Sequence, residues 1–352
     1  MNTDFVCKAS DHVVGCGCTV RDALVRLNAL PGGRMTLFVT DGEGRLCGSL
    51  TDGDVRRALI AGCGLEDRVS VVMNGCPHAL RRGCDVYVAV AAAREKGIRL
   101  LPRLDADGRP ENILDLSRLK SLLPVDAVLM AGGRGERLRP LTLNTPKPLL
   151  RVGDKCIIDY NVDELRANGV ENIHVTVNYL KEQLEEHFRK RGDGVRCVSE
   201  PKRLGTMGSL SLVEDLRHDT VLLMNSDLLT DISFEALYRR HTDTGADLTM
   251  SVVPYNVSVP FGIINTEGDR VTGLHEKPVY NYYANAGVYM MKAEVLPLIE
   301  KGEYLDAPDF AERLIAKGRK VSYFPIEGTW IDIGSPDDYR RACDIMSTRR
   351  AL

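Results

Sequence analysis

Residues 125–150 read Val-Asp-Ala-Val-Leu-Met-Ala-Gly-Gly-Arg-Gly-Glu-Arg-Leu-Arg-Pro-Leu-Thr-Leu-Asn-Thr-Pro-Lys-Pro-Leu-Leu. The apolar run Val125 to Met130 predicts a short buried strand. It leads straight into a loop with Gly132, Gly133 and Gly135, whose backbone N–H groups can cradle phosphate oxygens. This is not a dinucleotide fingerprint, because Leu138 stands where a third glycine is needed. Nor is it a P-loop, since no Gly-Lys-Ser/Thr closes it. The glycines come instead with Arg137, and with Lys147 set between two prolines. Downstream, strand patterns at Ile173–Val177, Val195–Val198, Val221–Met224 and Leu248–Val253 alternate with helical ones at Lys181–His187 and Phe234–His241. That alternation predicts a mostly parallel α/β sheet, with Asp227 at the carboxyl end of a strand, where such sheets bind ligands.

Working outward, 352 residues suggest two or three domains. The apolar share of 44% and charged share of 27% are those of an ordinary globular chain. A net charge of −3 provides no broad field for nucleic acid or anionic lipid, so neither is expected as a partner. The N-terminus lacks a signal-peptide pattern, and no window nears the roughly 18 apolar residues of a membrane span. A cytoplasmic protein is expected. The ten cysteines contain no Cys-x-x-Cys, and Cys7, His12, Cys16 and Cys18 fit no common zinc spacing. Reduced thiols acting as small hydrophobes is the better reading.

The first 124 residues contain a repeat. Leu37 to Arg45 and Leu101 to Arg109 align at a constant offset, with Asp41/Asp105, Gly44/Gly108 and Arg45/Arg109 coinciding. Each copy reads as helix, buried strand, Asp/Gly turn, second strand and second helix. The opening helices run from Thr19, a plausible N-cap, to Asn28 and from Asp85 to Lys96. Units this small must pack as a pair to bury a core.

The first copy carries Gly48-Ser49-Leu50-Thr51-Asp52-Gly53-Asp54. This resembles the cystathionine-β-synthase (CBS) domain, as a tandem pair over residues 5 to 124, and its Gly-x-x-Thr/Ser-x-x-Asp motif falls on Gly48, Thr51 and Asp54. The resemblance implies an adenine-nucleotide site (AMP, ADP or ATP), with the hydroxyl on phosphate and the carboxylate on ribose. Thr51 and Asp54 could equally form a local helix cap. The second copy has Asn112, Asp115 and Arg118 at these positions, so at most one competent site is expected.

The string from Gly132 to Pro148 resembles the signature of the sugar-1-phosphate nucleotidyltransferases, with further family motifs in order along residues 125 to 345. Glu200 to Thr206 corresponds to the base-recognition loop, Asn225-Ser226-Asp227 to a metal aspartate, and Trp330 to Gly334 to a second, Asp332. Glu276-Lys277-Pro278 and Asn285-Ala286-Gly287 correspond to sugar-phosphate segments. The resemblance implies a Rossmann-like catalytic domain over 125–352, preceded by CBS domains over 1–64 and 65–124.

The implied reaction is attack of a sugar-1-phosphate oxygen on the α-phosphorus of a nucleoside triphosphate, with pyrophosphate leaving. The nucleophile is already an anion, so positioning and charge neutralisation suffice. Asp227 and Asp332 would hold Mg²⁺. Arg137 would meet pyrophosphate, Lys147 the α-phosphate, and Lys277 the sugar phosphate. Glu276 and Asn285 would bond sugar hydroxyls beside Gly262. Ala131, Gly132, Gly133, Gly135, Glu200, Gly205 and Thr206 would bind the nucleotide. Singly, Asp227 could cap a turn and Lys277 could be a solvated charge.

Glu200 falls where thymidylyl- and uridylyl-transferases carry Gln; a carboxylate accepts from the adjacent donors of guanine, which favours GTP. The domain order resembles guanylyltransferases that make GDP-glucosamine for legionaminic acid synthesis, which points to an amino-hexose-1-phosphate, with mannose- or heptose-1-phosphate as alternatives. A UTP- or dTTP-using transferase, or an inactive fold sensing nucleotides through the CBS pair, are the other readings. A homo-oligomer is expected. Met207-Gly208-Ser209 stands where relatives carry Ala-Gly-Ala, a change that bears on the base pocket. Tyr280, Tyr282 and Tyr283 read as a sugar-stacking run or the cover of a hydrophobic edge. The seven histidines fall at no motif position and read as surface or core-edge residues.

Overall fold

The computed structural model describes residues 6–30, 35–84 and 86–351, with side chains up to residue 348. The chain divides into two compact units, one of residues 1–124 with Arg166–Gly169, the other of Val125–Leu165 with Val170–Leu352.

In the first unit the repeat is physical. Thr19 caps the helix Val20–Ala29 in a reciprocal box with Asp22. The strands Thr36–Thr40 and Leu46–Thr51 pair antiparallel across a turn in which Asp41 Oδ1 accepts the N–H groups of Glu43 and Arg45, each at 2.9 Å. The strands Leu100–Leu104 and Pro110–Asp115 repeat this pairing, with Asp105 Oδ1 accepting from Asp107 and Arg109 at 2.9 and 2.8 Å. The same short Asp/Gly sequence therefore folds the same Asx-type turn twice. Val13–Gly15 joins the first hairpin in parallel, while Val6–Lys8 crosses over to pair with Pro110–Asp115. Leu27, Leu37, Val39 and Leu50 bury one half-core, Val90, Ala93, Leu101 and Leu114 the other. Phe38, Leu100 and Ile113 form the seam between the copies.

Two details differ from the sequence reading. The second opening helix is Val86–Glu95, and Asp85 lies outside the described residues. No closing helix follows Asp115. Asp115 Oδ1 instead accepts the N–H and hydroxyl of Ser117, at 3.1 and 2.5 Å, and this turn occupies the place of a first helical turn.

The second unit is a mixed α/β fold. Its seven-stranded sheet runs, edge to edge, Arg196–Ser199, Ile173–Val177, Asp126–Met130, Thr220–Asn225, Val279–Lys292, Leu248–Ser258 and Val321–Pro325. The first four are parallel, and Val279–Lys292 runs antiparallel to both neighbours. The earliest strand in sequence, Asp126–Met130, lies between Ile173–Val177 and Thr220–Asn225, so the strand order reverses there. Such a reversal leaves a crevice at the carboxyl ends, where connections diverge to opposite sides. Leu248–Ser258 and Val279–Lys292 stay paired beyond the buried sheet as an exposed ribbon, ending in the hairpin Ile263–Glu267/Arg270–His275. Among the described residues no helix is long and apolar enough to cross a membrane.

Three histidines are not at the surface or core edge. His12, His174 and His241 are each 2% exposed. His12 Nδ1 meets Thr36 O at 3.0 Å, and His241 Nδ1 meets the Thr249 hydroxyl at 2.9 Å. Burial, with a smaller push from Lys292, lowers the His241 pKa to about 4. A neutral buried imidazole takes its proton later than an unfolded one, so the unfolded state gains protons first as pH falls. Stability should therefore drop between pH about 6.5 and about 4, by about 3 kcal/mol from this group. Denaturant titrations across that window should show a shallower loss in His241→Gln than in the parent. Equal slopes would remove His241 as the source.

Candidate active site

The crevice begins where Asp126–Met130 ends. Ala131 is buried, and its N–H donates to Thr176 O on the neighbouring strand at 2.9 Å, so the loop leaves the sheet in a fixed direction. A Cβ on Gly132 would lie 2.7 Å from Glu200 Oε1, so the bare glycine backbone passes close to the carboxylate in its present rotamer. Gly133 has open space around it. Gly135 has φ +59°, and its Cβ would meet Thr142 Cγ2 at 2.9 Å and Lys147 Cβ at 3.1 Å. The Thr142 hydroxyl donates to Gly135 O at 2.8 Å, which ties the loop to the segment that carries Lys147.

Lys147 is 9% exposed and sits in the one-turn 3₁₀ helix Lys147–Leu149. Its Nζ contacts Asp227 Oδ2 directly and lies 3.7 Å from Asp332 Oδ1. Asp227 follows Thr220–Asn225 and is steered by Ser226, whose N–H and hydroxyl both donate to Met130 O. Asn161 Nδ2 adds a bond to Ser226 O at 3.2 Å. Asp332 ends the strand Trp330–Asp332, which pairs antiparallel with Leu228–Thr230 and sets Leu228 opposite Asp332. Burial raises the Asp332 pKa, and the negative Asp227 raises it further, against the pull of Lys147 and Arg137. Asp227 Oδ1 is buried with no hydrogen-bond partner. Arg137 completes the group: a Cβ on Gly334 would lie 3.1 Å from its Nη2, so the guanidinium lies against bare backbone.

Glu200 is 7% exposed. Its Oε2 accepts the Leu204 N–H at 3.2 Å, and burial pushes its carboxyl pKa up against that bond. One oxygen is thus partly engaged while Oε1 faces Gly132. Gly205 has φ +75°, and its Cβ would meet Leu305 O at 2.6 Å. Thr206 N–H donates to Asp306 Oδ1 at 3.1 Å, and the Thr206 hydroxyl accepts the Ala307 N–H at 2.7 Å. Asp306, which the sequence reading passed over, therefore anchors this loop at the start of the helix Ala307–Ala316. An Asp before Ala-Pro was the available cap signal. Met207 is fully buried among Leu210, Leu305 and Phe310, so it fills the core and not a base pocket.

The remaining predicted residues fall in two groups. Asn285 Nδ2 donates to the Tyr289 hydroxyl at 2.7 Å, and its Oδ1 accepts the Gly287 N–H at 3.1 Å. Gly287, at φ +72°, lies against Asn225, and Trp330 Nε1 donates to Ala286 O at 2.9 Å, so this segment borders the aspartate pair. Gly262, Glu276 and Lys277 lie out on the ribbon, where a Cβ on Gly262 would be 3.0 Å from Glu276 Oε2. Glu276 and Lys277 are exposed, Lys277 at φ +44°, and no bond or ion pair among the described residues joins them to Asp227. Tyr280 and Tyr282 stack at 6.4 Å, while Tyr283 leans on Tyr323 at 5.3 Å, over the sheet edge.

The first unit holds a cavity of about 500 Å³ lined by Thr51, Asp54, Arg99, Asp115 and Arg118 among others. Thr51 and Asp54 also form the reciprocal cap of the helix Asp52–Ile60, and Asp54 pairs with Arg57 at 2.6 Å. Gly48 is a packing residue, since a Cβ there would run into Met73. Thr51 and Asp54 of the first copy and Asp115 and Arg118 of the second thus face one cavity, while Gly48 and Asn112 do not line it.

The nucleotidyl transferase family profile matches residues 126–348. The chain belongs to this family. Similar curated proteins include a putative mannose-1-phosphate guanyltransferase of Sulfolobus acidocaldarius, 31% identical over 223 residues, which are 62% of this chain and 62% of that protein. The mannose-1-phosphate guanyltransferase of Yarrowia lipolytica is 33% identical over 224 residues, 60% of this chain and 61% of its own. The chain therefore spans about 62% of the length of these relatives. Among solved structures, HddC from Yersinia pseudotuberculosis superposes with a TM-score of 0.50 at 23% identity, covering 63% of this chain and 99% of that one. A putative glucose-1-phosphate thymidylyltransferase from Bacillus anthracis gives 0.50 at 22% identity, over 63% and 94%. These likenesses establish the nucleotidyl transferase fold of the second unit. They concern that unit alone.

The pinned loop of this nucleotidyl transferase offers a stability test. Gly205→Ala places a Cβ against the Leu305 carbonyl at a left-handed φ, which should cost about 2 kcal/mol or more. Asp306→Ala, which strips one bond from the same anchor, should cost less, about 1 kcal/mol. Thermal melts that rank the two in the opposite order would reject the pinned geometry.

Proposed function

We propose that the second unit transfers a nucleoside monophosphate, GMP from GTP, to a sugar 1-phosphate, releasing pyrophosphate. The observation that carries this reading is Lys147 held against Asp227 and near Asp332, at the mouth of the switch-point crevice. A lone lysine beside two carboxylates is poor equipment for a nucleophile or an acid–base pair. It is good equipment for polyanions, whose charge it can meet once the carboxylates have a cation of their own. The partnerless Oδ1 of Asp227 and the raised pKa of Asp332, from burial and from the Asp227 charge beside it, fit a divalent ion with hard oxygen ligands, Mg²⁺. Asp227 and Asp332 would hold it, and when bound it would neutralise phosphate charge. Lys147 would meet the α-phosphate and Arg137 the pyrophosphate along Gly334, while Gly132, Gly133 and Gly135 would present backbone N–H groups. The exposed Lys277 would bind the sugar phosphate once the ribbon is over the crevice, with Glu276 and Asn285 on the sugar hydroxyls beside Gly262.

The guanyltransferase names of the relatives support GTP, as does Glu200. Guanine's N1–H and 2-amino group donate side by side, whereas uracil and thymine present one donor between carbonyls that a carboxylate repels. Such a charge-assisted pair is worth about 1–3 kcal/mol of discrimination. Glu200 Oε1, beside Gly132, would take one donor, and a shift from the Leu204 N–H would free Oε2 for the other. Amino-hexose-1-phosphate is the first candidate acceptor, with mannose- and heptose-1-phosphate next, for glycan or nonulosonic acid synthesis in the cytoplasm.

Residues 1–64 and 65–124 are read as a CBS pair regulating residues 125–352, with an adenine nucleotide in the Thr51/Asp54 cavity. A homo-oligomer goes with that reading. The deciding experiment is pyrophosphate release with four triphosphates against a panel of sugar 1-phosphates. GTP should be preferred, with Glu200→Gln eroding the preference mainly in kcat/KM; a parent enzyme faster with UTP or dTTP would overturn the base assignment. Asp227→Asn should lower kcat by orders of magnitude without altering the fold, and unchanged turnover would take Asp227 out of the chemistry. Calorimetry with AMP, ADP and ATP should show binding that Asp54→Ala abolishes. Silence at millimolar nucleotide would leave the pair a structural element.

A further inference from the structure

Away from the crevice, the second unit gathers a thiol, a carboxylate and an imidazole. Cys156 precedes the helix Ile157–Ala167, Asp159 lies on its first turn, and His187 projects from the helix Lys181–Arg191. A ligand atom from each lies within 4.8 Å of the other two. His187 Nε2 is 2.8 Å from Asp159 Oδ1, and the two side chains keep 25% and 13% exposure, so the cluster is packed but open to solvent on one side.

We infer that Cys156, Asp159 and His187 form a Zn²⁺ site separate from the Asp227/Asp332 pair. The donor set decides the metal: thiolate sulfur with imidazole nitrogen and one carboxylate oxygen suits zinc, whereas Mg²⁺ and Ca²⁺ take oxygen alone. With bonds of about 2.0–2.3 Å, tetrahedral ligands sit roughly 3.3–3.8 Å apart, which small side-chain rotations reach from the observed spacing. Binding exchanges the Cys156 thiol proton for the metal and releases it to solvent. The imidazole stays neutral, with its proton on Nδ1 and Nε2 on the metal. The thiolate and carboxylate cancel the ion's two charges, and the open side admits a water as fourth ligand.

One group competes. Arg191 Nη1 lies 2.8 Å from Asp159 Oδ1. The guanidinium also contacts Asp163 and Asp193, so it remains paired with two carboxylates when Asp159 turns to the metal. A metal here would join two helices, and one of them carries Asn161, whose amide holds Ser226 next to Asp227. The site would therefore stiffen the wall of the crevice without touching substrate.

The test uses the full chain, stripped of metal and titrated with Co²⁺ and then Zn²⁺. One equivalent of Co²⁺ should give a thiolate-to-cobalt charge-transfer band that one equivalent of Zn²⁺ bleaches. Zn²⁺ should also raise the melting temperature. Cys156→Ser should lose the band, and His187→Gln should weaken binding at least about tenfold. Asp227→Asn should keep the band, which separates this site from the proposed catalytic pair. Absence of the band in the parent, or its persistence in Cys156→Ser through another cysteine, would overturn the assignment. Metal-free melts of the Cys156 and His187 variants that match the parent show that the fold is intact.

Discussion

Two carboxylates held close together in a half-buried crevice repel one another, and the candidate site exists because a lysine is held where it can offset them. Lys147 reaches Asp227 from a short 3₁₀ turn between two prolines, with Asp332 arriving on a small separate sheet. Neither proline can donate an amide bond, and each fixes its own φ, so the turn is set before the side chain finds its partner. The glycine loop is tied to this segment through Thr142, and the Asp227 backbone is tied to the sheet through Ser226. Displace the ammonium and the acidic pair must find another cation.

Much of this was legible in the sequence because the informative residues are local. The strand into Gly132, Gly133 and Gly135, the Pro-Lys-Pro segment and the repeated Asp/Gly turns each carry their geometry within a dozen residues. The turn at Asp41 and its copy at Asp105 show how directly a short string dictates a backbone path. The family resemblance then ordered the distant motifs, and the family profile over 126–348 agrees with it.

What escaped the sequence was long-range or competitive. Thr206 bonds a residue 101 positions away, and nothing around Gly205 announces that Asp306 will close against it. Met207 reads as part of a recognition loop, but one helical turn later the loop is core, and the side chain follows the core. The closing helix of the second repeat failed because Asp115 found a nearer partner in Ser117 than the helix offered. His174 and His241, at no motif position, read as surface or core-edge residues, although each is buried on or against the central sheet.

The repeat in the first unit has one more consequence. A cavity lined by two identical copies would present the same face in both directions, and an occupant would bind in two equivalent poses. Here a hydroxyl and a carboxylate, Thr51 and Asp54, occupy one pair of positions, while a carboxylate and a guanidinium, Asp115 and Arg118, occupy the other. The two halves of the cleft therefore differ in charge and shape. An elongated ligand with an anionic end would meet Arg118 and Asp54 differently, and so would have one preferred orientation.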